Sequence, residues 1–131
     1  YLAQHAPILC IQDLKQHQFV NYINDLVYSS ELYCLERLPI EVSACLRSSS
    51  IVAQQMAVSA GAGLAILPVF MAGHQPELTE VLSKEIQFVH TFWMLTFADL
   101  KHEPRIKLVW DFLRQVAVEE RATLMGQHTQ I

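Results

Sequence analysis

The stretch between Ser48 and Pro68 constrains the fold of this chain more than any other part of its sequence. A serine is a common helix cap, and Gly61 suits a helix that ends in a left-handed residue. The run 64–67 is apolar throughout and stops at a proline, which predicts a central strand covered on both faces. Helix, tight turn and buried strand together make half of an α/β unit. After the serines at 48–50, apolar residues spaced three and four apart predict one face of the helix: Val52, Ala53, Met56, Ala57 and Ala60.

The other segments predict the remaining elements of an α/β fold with some parallel pairing. In chain order we predict a short helix around Asp13, strands at 18–23 and 41–46, a short strand near 78–82, a strand at 88–97 and a long helix. Pro104 fits the first turn of that helix. Its apolar stripe comprises Ile106, Val109, Trp110, Leu113, Val116 and Ala117.

Length and composition limit the size of the fold and the partners it can have. A chain of 131 residues, 52% hydrophobic and 17% charged, is enough for one packed domain. Its net charge is −4 and its nine lysines and arginines are scattered, so we expect no direct binding to nucleic acid. No apolar run approaches the roughly 18 residues of a membrane span, and no secretory signal is visible. We therefore expect a cytoplasmic protein without membrane contact, and the first residue, Tyr1, suggests an excised piece of a longer protein.

Catalytic and metal-binding motifs are incomplete in this sequence. The glycines at 61 and 63 are followed by isoleucine at 66, and they precede a predicted strand, which reverses the order of a dinucleotide-binding turn. His102-Glu103 does not continue into the zinc motif H-E-x-x-H, and the other histidines lack metal-ligand spacing. We expect no catalytic residue, metal or cofactor. A nucleophilic thiol is the weaker interpretation of the cysteines; free, buried thiols are expected for Cys10, Cys34 and Cys45.

Three groups of residues together resemble the effector-binding domain of bacterial LysR-type transcriptional regulators. The run from Ala57 to Pro68, AVSAGAGLAILP, resembles that family's signature of a valine, Gly-x-Gly, an aliphatic run and a proline. The opening residues resemble the entry to the second regulatory subdomain. The later ones resemble the strand that returns to subdomain one and that subdomain's C-terminal helix. The opening set comprises Tyr1-Leu2, His5, Asp13-Leu14 and His17. The later set comprises Phe92-Trp93, Asp99-Leu100, Pro104-Arg105 and Phe112-Leu113.

The resemblance implies an α/β fold of the periplasmic-binding-protein type II class, with a small-molecule effector held between two subdomains. Residues 1 to about 90 would be most of subdomain two. Residues of about 91–131 would supply the return strand and C-terminal helix of subdomain one. The winged helix-turn-helix domain is expected outside this chain, so DNA would be bound only through that domain. Family members form dimers through this region and tetramers when full length, which makes self-association an expected partnership.

The best candidate for effector contact is the trio Ser48, Ser49 and Ser50. A helix start offers free N–H groups and a partial positive charge, and adjacent hydroxyls can bind a carboxylate. In the resembling family a Ser or Thr at this helix start contacts the effector, and Ser49 and Ser50 match that position best. Plain helix capping without a ligand is the alternative. Arg47 could add charge toward an anionic effector, although an exposed arginine at a strand end is equally ordinary.

Three further residues are weaker candidates for the cleft. Tyr22 could hydrogen-bond an effector, although a core aromatic is the stronger interpretation. Leu67 and Pro68 follow the predicted buried strand, at the end where α/β sheets bind ligands, but packing explains them as well. The serines and the resemblance together favour an organic or aromatic acid as the effector.

Two other functions remain open at the level of sequence. A solute-binding protein or an enzyme of the same fold would need, respectively, a signal sequence upstream or an acid–base pair in the cleft. A ligand-free dimerisation module is the other alternative, and stabilisation by a ligand would separate it from an effector sensor.

Overall fold

A computed structural model of the chain describes residues 1–26 and 29–126, except for the side chain of residue 31. This description leaves out residues 27–28, which fall in a segment without a predicted element. It also leaves out residues 127–131, at the end of the predicted subdomain-one part. The chain divides into two compact units, the first from Tyr1 to Val89 and the second from His90 onward. The assignment of residues on either side of position 90 to two subdomains stays a prediction.

The first unit contains two strands and two α-helices in its described part. Strand β1 spans Gln18–Asn21 and β2 spans Ser43–Arg47; helix α1 spans Ile51–Ser59 and α2 spans Val69–Ala72. The predicted strands at 18–23 and 41–46 and the helix after the serines are therefore confirmed, with shifted ends. Short 3-10 helices fill much of the remainder: Leu2–Gln4, Ile11–Gln16, Asn24–Leu26, Ser30–Leu32 and Leu35–Arg37.

The sheet is parallel and has β1 at its centre. Phe19 pairs with Ala44 of β2, and a bulge after Phe19 brings Val20 opposite Leu46. On the other edge of β1, Leu64 forms an isolated parallel bridge with Phe19. The N–H of Leu64 donates to the Gln18 carbonyl at 2.9 Å and the Val20 N–H donates to the Leu64 carbonyl at 2.8 Å.

The predicted central strand at 64–67 is wrong in extent. Only Leu64 takes part in the ladder, and all four residues of the run are half-buried rather than covered on both faces. An apolar run becomes a strand only as far as its N–H and C=O groups find a neighbouring chain. In the described structure that neighbour is β1, which itself spans four residues.

The hydrophobic core of the first unit lies on the Phe19 side of β1. Phe19 packs with Leu14 and Leu35, and all three are almost completely buried. Burial of each such side chain stabilises the fold by roughly 1.5–3 kcal/mol. Partly buried side chains surround them: Ile8, Ile11, Leu38, Ile40, Val42, Leu64, Ile66, Leu82 and Ile86.

Helix α1 begins and ends as its sequence predicts, but its predicted apolar face is wrong. The Ser50 hydroxyl accepts a hydrogen bond from the Ala53 N–H at 3.3 Å, and Gly61 adopts a left-handed φ of 84°. Met56, which belongs to the predicted face, is 68% exposed, whereas Gln54 is 1% exposed. Gln54 can be buried because its amide has a hydrogen-bond partner, and apolar spacing alone carries no information on such a partner.

The amino-terminal residues are fastened to the start of β1 through one tyrosine. The Tyr1 hydroxyl accepts a hydrogen bond from the Gln18 N–H at 3.1 Å and lies 3.2 Å from Nδ1 of His17. The His5 ring stacks on the Tyr1 ring, with 3.9 Å between centroids. His17 is fully buried and its Nε2 has no hydrogen-bond partner in the described structure.

The second unit is dominated by a helix. A 3-10 turn at Ala98–Leu100 leads to α3, which spans Pro104–Glu119 with its proline in the first turn as predicted. A short helix, α4, covers Arg121–Leu124 after a break at Glu120. The predicted stripe of α3 is only partly covered: Ile106, Trp110 and Val116 are half-buried, whereas Val109, Leu113 and Ala117 are exposed.

Two predicted strands are wrong. The segments at 78–82 and 88–97 contain no strand, although both are fully described. Phe92, Trp93, Leu95 and Phe97 are exposed, and no neighbouring strand pairs with their backbone in the described structure. Alternating or aromatic residues favour a strand only where a partner supplies the ladder hydrogen bonds. Among the described helices, none combines the length and apolar character needed to cross a membrane.

Candidate functional site

The parallel pairing of β1 and β2 brings their carboxyl ends to one edge of the sheet. Asn21, the last residue of β1, pairs with Arg47, the last residue of β2. The ladder continues one step further, because the Ser48 N–H donates to the Asn21 carbonyl at 2.9 Å. Open parallel sheets bind their ligands at this edge. The sequence-predicted residues Tyr22, Arg47 and Ser48 are thus brought to the same edge.

The three serines form a turn that leads from β2 into α1. The Ser48 hydroxyl accepts from the Ser50 N–H at 3.1 Å, and the Ser50 hydroxyl accepts from Ala53. Each of these hydroxyls therefore keeps its own O–H as a donor. Ser49 is exposed, and its hydroxyl makes no hydrogen bond within the described residues. The turn presents three hydroxyl donors beside the amino terminus of α1.

Arg47 is held in place by the loop that follows β1. Its Nη1 atom donates to the Tyr22 carbonyl at 3.1 Å and to the Asn24 side-chain oxygen at 2.8 Å. A guanidinium has five N–H donors, so several stay available after these two bonds. The positive charge adds to the partial charge at the start of α1, whose first turn contains no acidic residue. This edge of the sheet is therefore suited to an anion.

Leu67 and Pro68 lie near the beginning of α2, and no described contact joins them to the serines. Both are half-buried, and the Pro68 carbonyl accepts from the N–H groups of Met71 and Ala72. Helix α2 is tied to α1 by a hydrogen bond from the Gln55 amide to the Met71 carbonyl at 3.2 Å. The assignment of Leu67 and Pro68 to the cleft therefore stays a prediction, because no described contact joins them to the other predicted site residues.

Sequence reasoning missed two residues that position this edge. Gln54 donates to the Ser48 carbonyl at 2.9 Å and so fastens the serine turn to α1. Asn24 orients Arg47 across 23 positions of sequence. The first contact spans six positions and reaches a carbonyl that precedes the helix, so the spacing of residues on one helix face does not signal it. The contact between Asn24 and Arg47 depends on the fold of the loop after β1, so no local sequence pattern signals it.

The expectation that all three cysteines are buried is wrong for two of them. All are free, but Cys10 and Cys45 are exposed and only Cys34 is buried. Burial raises the pKa of the Cys34 thiol, because a thiolate loses solvation there. In the described part of the chain, no three His, Cys, Asp or Glu side chains are grouped closely enough to hold a metal ion.

Comparison with known proteins gives the family of the chain. The family model of the LysR substrate binding domain matches residues 1–118, which is most of the chain's length. The chain belongs to this family, the effector-sensing domain of LysR-type transcriptional regulators, whose α/β fold is of the periplasmic-binding-protein type II class. The predicted family and fold class are therefore confirmed. No curated protein and no solved structure gives a significant match to the chain.

Proposed function

We propose that this chain binds an organic or aromatic acid at the carboxyl ends of β1 and β2, as the effector of a LysR-type regulator. The observation that carries the proposal is the serine turn, in which Ser49 follows Arg47 and precedes α1 by one residue. The Ser49 hydroxyl has no hydrogen-bond partner among the described residues. Membership of the LysR substrate-binding family supports a small-molecule ligand.

The recognition would be non-covalent. A carboxylate at the start of α1 would accept from the Ser49 hydroxyl and from the first N–H groups of the helix, which lack acceptors inside it. Arg47 would add a charge-assisted hydrogen bond. Tyr22 is half-buried at the same edge, and its ring would contact the apolar part of an aromatic acid.

Effector binding would act on transcription through a shift between two conformations of the regulatory domain. A ligand that binds one arrangement of the subdomains more tightly favours that arrangement. Dimers of the full-length cytoplasmic regulator would then present their winged helix-turn-helix domains differently to DNA. No step of this mechanism makes or breaks a bond, and the family is one of regulators rather than enzymes.

Thermal unfolding with a panel of small carboxylates tests this proposal, in the chain and in its full-length regulator. A ligand at 100 times its dissociation constant stabilises the folded state by about 2.7 kcal/mol. We expect such a shift for at least one acid, and its loss in Ser49→Ala and Arg47→Gln. Ser83→Ala, an exposed serine outside this edge, is the matched control and should keep the shift. Equal shifts in Ser49→Ala, Arg47→Gln and the control would contradict binding at the serine turn.

A ligand-free dimerisation module is the second candidate, and the exposed segment 92–97 favours it. Trp93 is 79% exposed, and its apolar neighbours Phe92, Leu95 and Phe97 are exposed with it. Contiguous apolar surface of this kind marks interaction sites. We expect sedimentation velocity to show a dimer. In Trp110→Phe, where Trp93 is the remaining tryptophan, the emission should shift to the blue as concentration rises. A monomer at every concentration, without a dye-binding surface, would rule this candidate out.

A further inference from the structure

A groove of about 910 Å³ lies in the first unit, beside the serine turn but not lined by it. Its lining includes Asn21 of β1, Ala44 of β2 and most of the segment 35–42. Arg47 borders both the groove and the serine turn, whereas none of the three serines is among the described lining residues. The groove therefore shares only Arg47 with the serine turn, and a ligand bound in it would need none of the three serines.

Asn21 gives the groove a polar side chain at the end of β1. The residue is 7% exposed, yet its side-chain amide makes no hydrogen bond with any described residue. Its backbone carbonyl, by contrast, accepts from Ser48. Among the described residues His17 Nε2 is the one buried side-chain polar atom without a partner, so the Asn21 amide atoms are open to solvent rather than sealed in the core. The amide therefore offers two donors and an acceptor that a molecule bound in the groove can reach.

The border of the groove carries two positive and two negative side chains. Lys15 and Arg47 supply the positive charges, and Glu36 and Glu41 supply the negative ones. None of the four forms an ion pair with another described residue. Because the border is neutral in sum, it attracts neither a simple anion nor a simple cation at long range. A ligand with one charge of each sign would satisfy both kinds of side chain.

The remaining wall is apolar. Leu38, Ile40 and Val42 are half-buried and pack at the margin of the core around Phe19 and Leu35. Small-molecule sites typically combine such an apolar wall with a few polar groups that fix orientation.

We propose that this groove is a second binding site, for a small zwitterion with an apolar side chain, of the α-amino acid class. The Asn21 amide would pair with the ligand's polar end. The carboxylate of the ligand would face Lys15 and Arg47, and the ammonium of the ligand would face Glu36 or Glu41. The apolar side chain would lie against Leu38 and Ile40.

The test is nuclear magnetic resonance of the nitrogen-15-labelled chain, titrated with each of the protein amino acids to about 10 mM, a range that detects millimolar affinity. For a branched aliphatic amino acid such as L-leucine we expect a saturable shift of the Asn21 side-chain amide signals. Its single-charge analogues, 4-methylpentanoate and 3-methylbutylamine, should bind about tenfold more weakly or not at all. If no amino acid moves the Asn21 side-chain signals, or if the single-charge analogues bind equally well, the proposal fails.

Variants separate the groove from the serine turn. Asn21→Leu replaces the unpaired amide with an apolar group of similar size, so it should stay folded and lose binding, as monitored by the backbone signals of residues 38–42. Lys15→Gln should weaken binding about tenfold, a loss typical of one polar contact. Lys84→Gln, an exposed lysine outside the groove, is the matched control and should bind like the parent chain. Unchanged binding by Asn21→Leu would overturn the assignment. Ser49→Ala should retain amino-acid binding here, so the two sites can fail independently.

Discussion

The side chain of Gln54 donates a hydrogen bond to the carbonyl oxygen of Ser48, with 2.9 Å between nitrogen and oxygen. Gln54 lies in the first turns of α1, and Ser48 is the first residue beyond β2. This contact fixes the angle between strand and helix at the point where the serine turn presents its hydroxyls. Because Gln54 is almost completely buried, the Ser48 carbonyl would have little access to water if the amide were removed.

Gln54→Met should lower the free energy of unfolding by about 1 kcal/mol, since it keeps the volume and removes the hydrogen bond. Gln54→Ala should cost about 2 kcal/mol or more, because it also leaves a cavity. Urea unfolding measures both. The reverse exchange at an exposed position of the same helix, Met56→Gln, is the control and should change stability by less than about 0.5 kcal/mol. A Gln54→Met chain as stable as the parent would mean that the amide does not hold the turn.

Asp13 predicts a pH dependence at the amino-terminal end of the first unit. Its carboxylate accepts from the N–H groups of Leu9 and Cys10, each at 2.9 Å. These hydrogen bonds lower the pKa of Asp13 below its ordinary value of 3.8. A carboxyl whose pKa is lower in the folded state stabilises the fold above its unfolded pKa, and this contribution disappears as the pH falls through the folded value.

Asp13→Asn should therefore reduce stability at neutral pH and flatten the loss of stability below about pH 4. Thermal unfolding of both chains between acidic and neutral pH measures the difference. Asp111→Asn, an exposed aspartate in α3, is the control and should leave the acid limb of the curve unchanged. Parallel curves for Asp13→Asn and the parent would contradict the role given to these two backbone hydrogen bonds.

Local rules predicted the ends of α1 well and its buried side badly. A serine cap and a glycine at φ 84° depend on backbone chemistry within a few residues, so the sequence contains the whole signal. Which side of the helix is buried depends on what lies against it. Gln54 faces inward because the Ser48 carbonyl is there to receive its amide, and Met56 stays exposed despite its apolar side chain.

The candidate site likewise combines features that local sequence predicts with features that depend on contacts between distant segments. The family and the type II fold class could be recognised from ordered motifs along the chain, as the family match over 1–118 confirms. The Asn24 contact that orients Arg47, and the position of Asn21 opposite Arg47, arise only when β1 and β2 pair. The strand expected at 88–97 was wrong because a ladder needs a second chain segment, which a hydrophobic pattern cannot supply.

The three thiols should differ in their rates of alkylation. Cys34 is buried and its pKa is raised by loss of solvation, so both access and thiolate fraction are low at neutral pH. Cys10 and Cys45 are exposed and should react first with iodoacetamide. Peptide mapping at successive times gives the order, and denaturation in urea should bring Cys34 to the rate of the others. Labelling of Cys34 as fast as Cys10 in the folded chain would contradict its burial.

Gly63 allows the third segment of the sheet to approach β1. A Cβ atom at this position would collide with the carbonyl of Gln18, the same group that accepts the hydrogen bond from Leu64. Gly63→Ala should therefore break the bridge and lower stability by about 2 kcal/mol, in the range of overpacked core positions. Gly61 is the matched control: its φ is 84°, a region that asparagine tolerates, and a Cβ atom there would meet no other atom within 4 Å. Gly61→Asn should cost about 1 kcal/mol, from its left-handed backbone alone, and so less than Gly63→Ala in urea unfolding. Equal stability of Gly63→Ala and Gly61→Asn would show that Leu64 does not depend on this close approach.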